Sequence, residues 1–309
     1  DSPASPPAAQ PASPTPATTS PPKYVAALSP EAGPLPQEFA EATLDLEKHL
    51  GMPVWLLVQD GQEHDLCDHV EEMFFKGRHT LPSSPVALLL ESPGGNASSA
   101  YRIAKLLQKR CGSFVAVVAN WSKSAATLLT LGASEIVLGD HAQLGPLDVQ
   151  IFDADRENMD SALNETQSLE RLHGAALEAL DQTLLLLKFR TAKRTEALLP
   201  HVLKFVSDTM RPLMERVDVV QYTNRLRALK VGEEYALRLL RANYADRVAR
   251  GIASNLVEKY PEHGFVIDFD EAKSLGLRVR EATAVENGFL DRMLPHITSM
   301  NAFGRVVAP

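Results

Sequence analysis

The stretch "PVALLLESPGGNASSAYRIAKLLQKRCGSFVAVVANWSKSAATLLTLGASEIVLG", residues 85–139, decides the fold. It holds three short apolar runs, 85–92, 114–119 and 135–139, each too short for a helix and apolar on successive residues rather than alternate ones. Strands with that pattern are buried on both faces. Between them, residues 97–112 place Ala100, Ile103, Ala104, Leu107 and Cys111 on one helical face and stop at Gly112. Residues 124–133 form a short, almost wholly apolar helix. Upstream the cadence repeats, with a buried strand at 53–59 and a helix at 65–77 that ends at Gly77. Continuous apolar strands alternating with helices predict an α/β fold: a mostly parallel sheet covered on both faces.

Outside this core the composition changes twice. Residues 1–36 are nearly all Pro, Ala, Ser and Thr, which cannot bury enough apolar area to offset the entropy of ordering, so a disordered tail is expected. A first amphipathic helix follows at 38–49. After Asp153 the pattern is helical: one long stretch at 165–189, further turns up to Pro200, then 201–217 and 232–260. A strand–helix–strand cadence returns at 265–269, 270–276 and 277–279. The expected organisation is a tail (1–36), an α/β core (37–160), an inserted helical arm (161–260) and a C-terminal part of the core (261–309).

The 309 residues, 45% hydrophobic and 23% charged, are enough for a substantial core. No run approaches the roughly 18–20 apolar residues of a spanning helix. The chain opens without Met and without a basic-then-apolar leader, which leaves room for an upstream segment. Two cysteines, Cys67 and Cys111, are too few for a disulfide framework and read as buried thiols, compatible with a cytoplasmic location. The nine histidines show neither HExxH nor Cys/His spacing, so no metal is expected, and without a nucleotide motif no cofactor is expected either. Net charge is −8, divided as +7 within residues 188–250 and −15 elsewhere. That asymmetry fits a solvated helical face, or a basic arm on an acidic neighbouring subunit, better than a nucleic-acid interface.

The chemistry is expected beyond the carboxyl ends of the strands, where open α/β sheets bind ligands. Gly94 and Gly95 sit at such an end. Without Cβ they let the backbone approach a ligand and aim a main-chain N–H at it. One job for this arrangement is binding a phosphate, but the loop has neither GxGxxG nor GxxxxGK[ST] spacing, which counts against a dinucleotide or P-loop site; the other job is an oxyanion hole for acyl transfer. The next strand end offers a nucleophile, Ser124, followed by the small residues Ala125 and Ala126. The plainer alternative is that Ser122 or Ser124 only caps a helix.

Together, "LLLESPGGNASSAYRIAKLL" and "SKSAATLLTLGASEIVLGDHAQLGPLDVQ" resemble the Clp protease and signal-peptide-peptidase superfamily, whose fold is shared with the crotonases, and most of all its serine dehydrogenase proteinase branch. The segment "YPEHGFVIDFDEAKSLGLRV" (260–279) is similar to the C-terminal segment of that branch. The resemblance covers about 50–155 and 255–280. It implies a serine peptidase with Ser124 as nucleophile and Gly95 and Ala125 donating N–H groups to the oxyanion, Gly94 completing the loop. Asp148 would orient His263, the base, in the order Ser, Asp, His. His141, His173 and Lys123 are rival bases, although the downstream lysine of a Ser–Lys design is not evident at 145–150. The implied partners are a peptide or protein substrate, further copies of the chain in a dimer or ring, and a regulatory protein. Two alternatives stay open: a crotonase-like acyl-CoA enzyme, and an idle or gated relative that binds partners through its arm or tail.

Overall fold

The computed structural model describes residues 24–61, 65–153 and 158–308. Along the chain, β1 (Val25–Ala26) precedes α1 (Gln37–Leu50), β2 (Val54–Val58), α2 (Asp68–Lys76), β3 (Val86–Glu91), α3 (Ala97–Cys111) and β4 (Phe114–Val118). A two-residue β5 (Trp121–Ser122) leads into α4 (Ala125–Thr130), β6 (Glu135–Leu138) and β7 (Gln143–Leu144). The hairpin β8 (Gln150–Asp153) and β9 (Asn158–Ser161) opens a helical excursion: α5 (Ala162–Thr191), α6 (Thr195–Met214), α7 (Val219–Leu240) and α8 (Asp246–Glu258). The chain closes with α9 (Phe269–Ser274), β10 (Val279–Glu281), α10 (Ala284–Ile297) and β11 (Ala302–Val307).

The central sheet runs β1-β11-β2-β3-β4-β6-β10, with β2, β3, β4, β6 and β10 parallel and β11 and β1 antiparallel at one side. The apolar runs need no alternation because both faces are covered. Trp55, Leu57, Leu88, Leu90, Ala116 and Val118 face α2, α3 and α4. Their neighbours Leu56, Val58, Ala87, Leu89 and Val117 face α1 and α10. Each fully buried leucine in these strands contributes about 1.5–3 kcal/mol. At the start of α3, Asn96 Oδ1 accepts the Ser98 and Ser99 N–H groups at 2.8 and 3.3 Å, closing the turn that follows the glycines.

Three expectations are corrected. Residues 24–36 are not part of a free tail: Val25 and Ala26 pair with Val307 and Val306, and Ala26 and Ser29 are buried. The expected tail residues 1–23 lie outside the described residues. Residues 265–269 form no strand; Ile267 makes only an isolated antiparallel bridge to Leu144. Helix α6 runs through Pro200, which forfeits one hydrogen bond to the Glu196 carbonyl on an exposed turn where water can replace it.

The helices at 161–260 also divide differently. α7 and α8 are part of the core, burying Leu229, Leu237, Leu239 and Leu240 together with Ile252, Ala253 and Leu256. α6 packs chiefly on α5 through Leu198, Val202 and Val206. At the far end, Arg280 grips Glu286 bidentately, both contacts at 2.7 Å, and this partner pulls the Glu286 carboxyl down to about 2. Among the described residues no helix is long and apolar enough to cross a membrane.

Candidate active site

β3 and β4 are neighbours, so the loops leaving their carboxyl ends are adjacent by construction. Pairing continues past the sheet: the Ser92 N–H donates to the Trp121 carbonyl (3.2 Å), and the Lys123 N–H to the Ser92 carbonyl (3.1 Å). Ser124 is then forced to φ 51°, ψ −119°, a left-handed-side conformation that costs a non-glycine residue about 1–3 kcal/mol. Ser124 stands at the N-cap position of α4 but its side chain makes no capping bond, and the buried Ser122 hydroxyl has no partner among the described residues, so neither serine side chain caps the helix. Ser124 is therefore a strained serine at a strand-to-helix turn.

The glycines answer to close packing. The strap residue Leu66 pairs with the glycine loop, its N–H donating to the Gly94 carbonyl and its carbonyl accepting from Asn96 N–H, both at 2.6 Å. Successive backbone groups face opposite edges of a strand. The Gly95 N–H therefore points away from Leu66, toward the cavity, and joins no hydrogen bond among the described residues. The Ala125 N–H is likewise unused. Gly94 plays a different part: its N–H already meets Ser92 Oγ at 3.2 Å, and a Cβ there would come within 2.8 Å of the Ser124 Cβ. Its contribution is the missing side chain.

Asp148 and His263, 115 residues apart, meet with Asp148 Oδ1 2.8 Å from His263 Nδ1. Reciprocal hydrogen bonds between Leu144 and Ile267 (2.9 and 3.1 Å) pin the 260–268 segment across β7. Tyr260 and Phe265, which flank the histidine turn in sequence, pack as a tilted ring pair with centroids 4.8 Å apart, and the Tyr260 hydroxyl donates to Glu271 at 2.8 Å. Asp148 is 2% exposed, and its second oxygen has no partner among the described residues, so the imidazole is its main support there. An ionised carboxylate accepts only, so a neutral imidazole in this contact carries its proton on Nδ1 and has its lone pair on Nε2.

All these groups line one cavity of about 350 Å³: Gly94, Gly95, Ser124, Ala125, Asp148 and His263, over a floor of Leu128 and Leu147. No hydrogen bond joins the Ser124 hydroxyl to His263 among the described residues. The rivals stand elsewhere. His141 and His173 are exposed and outside the cavity. Lys123 Nζ donates to the Leu144 carbonyl at 3.1 Å, and burial lowers its pKa. Cys67 is half-buried rather than buried as expected, while Cys111 is buried. No metal-binding cluster exists among the described residues. Asp65, Gln150 and Gly232 also line the cavity and carry no motif that sequence reading could have flagged.

A parallel sheet with a glycine loop and a strained serine turn at adjacent strand ends is the ClpP-like α/β class. Residues 48–212 match the ClpP-like SDH-type serine proteinase family, and the chain belongs to it. The match includes Ser124 and Asp148 and continues through α5 into α6, further than the motifs reach; His263 lies beyond it. Two relatives are uncharacterized proteins of Methanocaldococcus jannaschii. MJ1495 is 23% identical over 230 residues, 74% of this chain and 61% of the relative. MJ0137 is 24% identical over 229 residues, 74% of this chain and 63% of the relative. The chain thus spans about three fifths of the length of these curated relatives.

Proposed function

We propose that this protein is a serine peptidase that cleaves peptide bonds through an acyl-enzyme on Ser124. The observation that carries the reading is the convergence on one cavity of a strained serine, two unused N–H groups and a histidine hydrogen-bonded to a buried aspartate. Ser124 Oγ attacks the scissile carbonyl while His263 Nε2 takes its proton. Asp148 stabilises the imidazolium, and the Gly95 and Ala125 N–H groups receive the oxyanion. His263 then returns the proton to the leaving amine and activates the water that frees Ser124. Substrate binding draws the serine and histidine into hydrogen-bond reach, as is common for catalytic pairs that are loose when empty. Lys123 is not the base in this scheme, because its ammonium is committed to Leu144. A denatured protein incubated with the wild type is expected to be cut, and with Ser124→Ala to stay intact; equal cleavage by both would refute the assignment.

The same reading gives α5 and α6 to self-assembly. Phe189 on α5, at 91% exposure, and Leu203 and Phe205 on α6 are apolar side chains left exposed within the basic stretch 188–250. A second copy, whose remaining residues carry −15, complements this basic stretch in charge. Sedimentation should show an oligomer that Phe205→Glu dissociates; a wild type monomeric at micromolar concentration contradicts this.

A further inference from the structure

Glu91 is the last residue of β3 and the one carboxyl in an otherwise apolar strand, wholly buried. Its oxygens collect three successive backbone N–H groups where β4 ends: Ala119 at 2.7 Å and Asn120 at 2.6 Å on one oxygen, Trp121 at 2.9 Å on the other. Three converging N–H groups make an anion-binding nest, here filled from inside the protein. A buried acid strand end is not needed for the sheet itself: the neighbouring positions Leu88, Leu89 and Leu90 fill the core with hydrocarbon.

What this contact joins is the two halves of the site. Glu91 is three residues before Gly94, and Trp121 is three before Ser124. The next residue, Ser92, continues the link. Its backbone pairs with Trp121 and Lys123, while its hydroxyl donates to Gln59 Oε1 at 2.7 Å and accepts the Gly94 N–H at 3.2 Å.

We propose that Glu91 and Ser92 are positioning residues, a brace that sets the separation between the Gly95 N–H and the Ser124 hydroxyl. The proposal rests on the serine-peptidase reading for its catalytic consequence. Neither side chain lines the cavity, so both act through the backbone they hold. A glutamine at 91 keeps the shape but turns an amide N–H₂ toward an N–H donor, so at least one of the three bonds is lost. Ångström-scale misplacement of a reacting group costs on the order of 10²-fold in rate.

The test is the saturation kinetics of a fluorophosphonate on the full chain, with hydrogen exchange followed in parallel. Glu91→Gln is expected to lower the limiting acylation rate about 10²-fold and Ser92→Ala about 10-fold, with half-saturating probe concentration unchanged in both. A purely structural role would not separate the two parameters. Exchange in Glu91→Gln should rise together in 92–96 and 121–126. A folded Glu91→Gln that keeps the wild-type limiting rate, or faster exchange confined to 119–121, overturns the brace. If Glu91→Gln does not fold, an unchanged limiting rate in Ser92→Ala overturns it instead. A wild type that takes no adduct counts against the peptidase reading, and the exchange pattern, read in whichever variant folds, then decides the brace alone.

Discussion

His263→Ala is expected to slow acylation of Ser124 by about 10³-fold while leaving the protein folded, because the histidine occupies a surface turn held by its neighbours. Tyr260 and Phe265 pack together without it, and the Leu144–Ile267 bonds are backbone bonds. What the variant removes is the proton acceptor, and it also strips the buried Asp148 of its imidazole partner. Asp148→Asn should give a loss of similar size by a different route: an amide N–H facing Nδ1 favours the tautomer that carries its proton on Nε2, where the base is needed. Rates measured against a chromogenic ester check both. A loss below about threefold in folded His263→Ala would move the base elsewhere.

Gly95→Ala should be as damaging, for a geometric reason. Gly95 has φ +131°, a conformation L residues avoid, and an added Cβ would meet the Leu66 carbonyl and stand 2.7 Å from its nitrogen. Neither neighbour is a flexible side-chain tip; both are backbone of the strap that pairs with the loop. The methyl must therefore push apart the strap and the glycine loop, moving the Gly95 N–H from the oxyanion position. Loss of one such donor costs about 10²–10³-fold in turnover, and the clash itself is expected to lower stability by about 2–3 kcal/mol. Gly174→Ala is the control, since nothing lies within 4 Å of a Cβ there. Thermal melts and ester hydrolysis of both variants report the two effects separately. Wild-type turnover in Gly95→Ala would show that the loop does not hold the oxyanion.

The core was legible because strands sandwiched between two helical layers leave an unmistakable trace. Leu88, Leu89 and Leu90 are consecutive, and all three are buried, on alternating faces. The glycine loop and the serine turn were legible because each breaks such a run with residues chosen for backbone freedom or small size. The remaining sheet was not. β11 contains Gly304 and Arg305 and joins β2 antiparallel, more than 240 residues away in sequence, a pairing with no local signature. Gly304 is there because a Cβ would press on Leu28, a contact that only the folded N-terminal segment creates. On its other edge β11 pairs with β1, which ties down Val25 and Ala26 despite a composition typical of a tail. Pro200 misled in the opposite direction, since an exposed helix turn tolerates one missing bond. Within the site, Ser124 stood out at a strand end and Asp148 and His263 were named only through the family resemblance, but the free edge of Gly95 depends on Leu66, and the nest around Glu91 on a loop from another strand.

The central claim is that Ser124 is an activated nucleophile, and intact-mass analysis after fluorophosphonate treatment tests it most directly. The wild type is expected to gain one probe mass, located on Ser124 by fragmentation, and Ser124→Ala to gain none. A folded wild type that stays unmodified at concentrations spanning monomer and oligomer, or an adduct that persists in Ser124→Ala, would contradict the account.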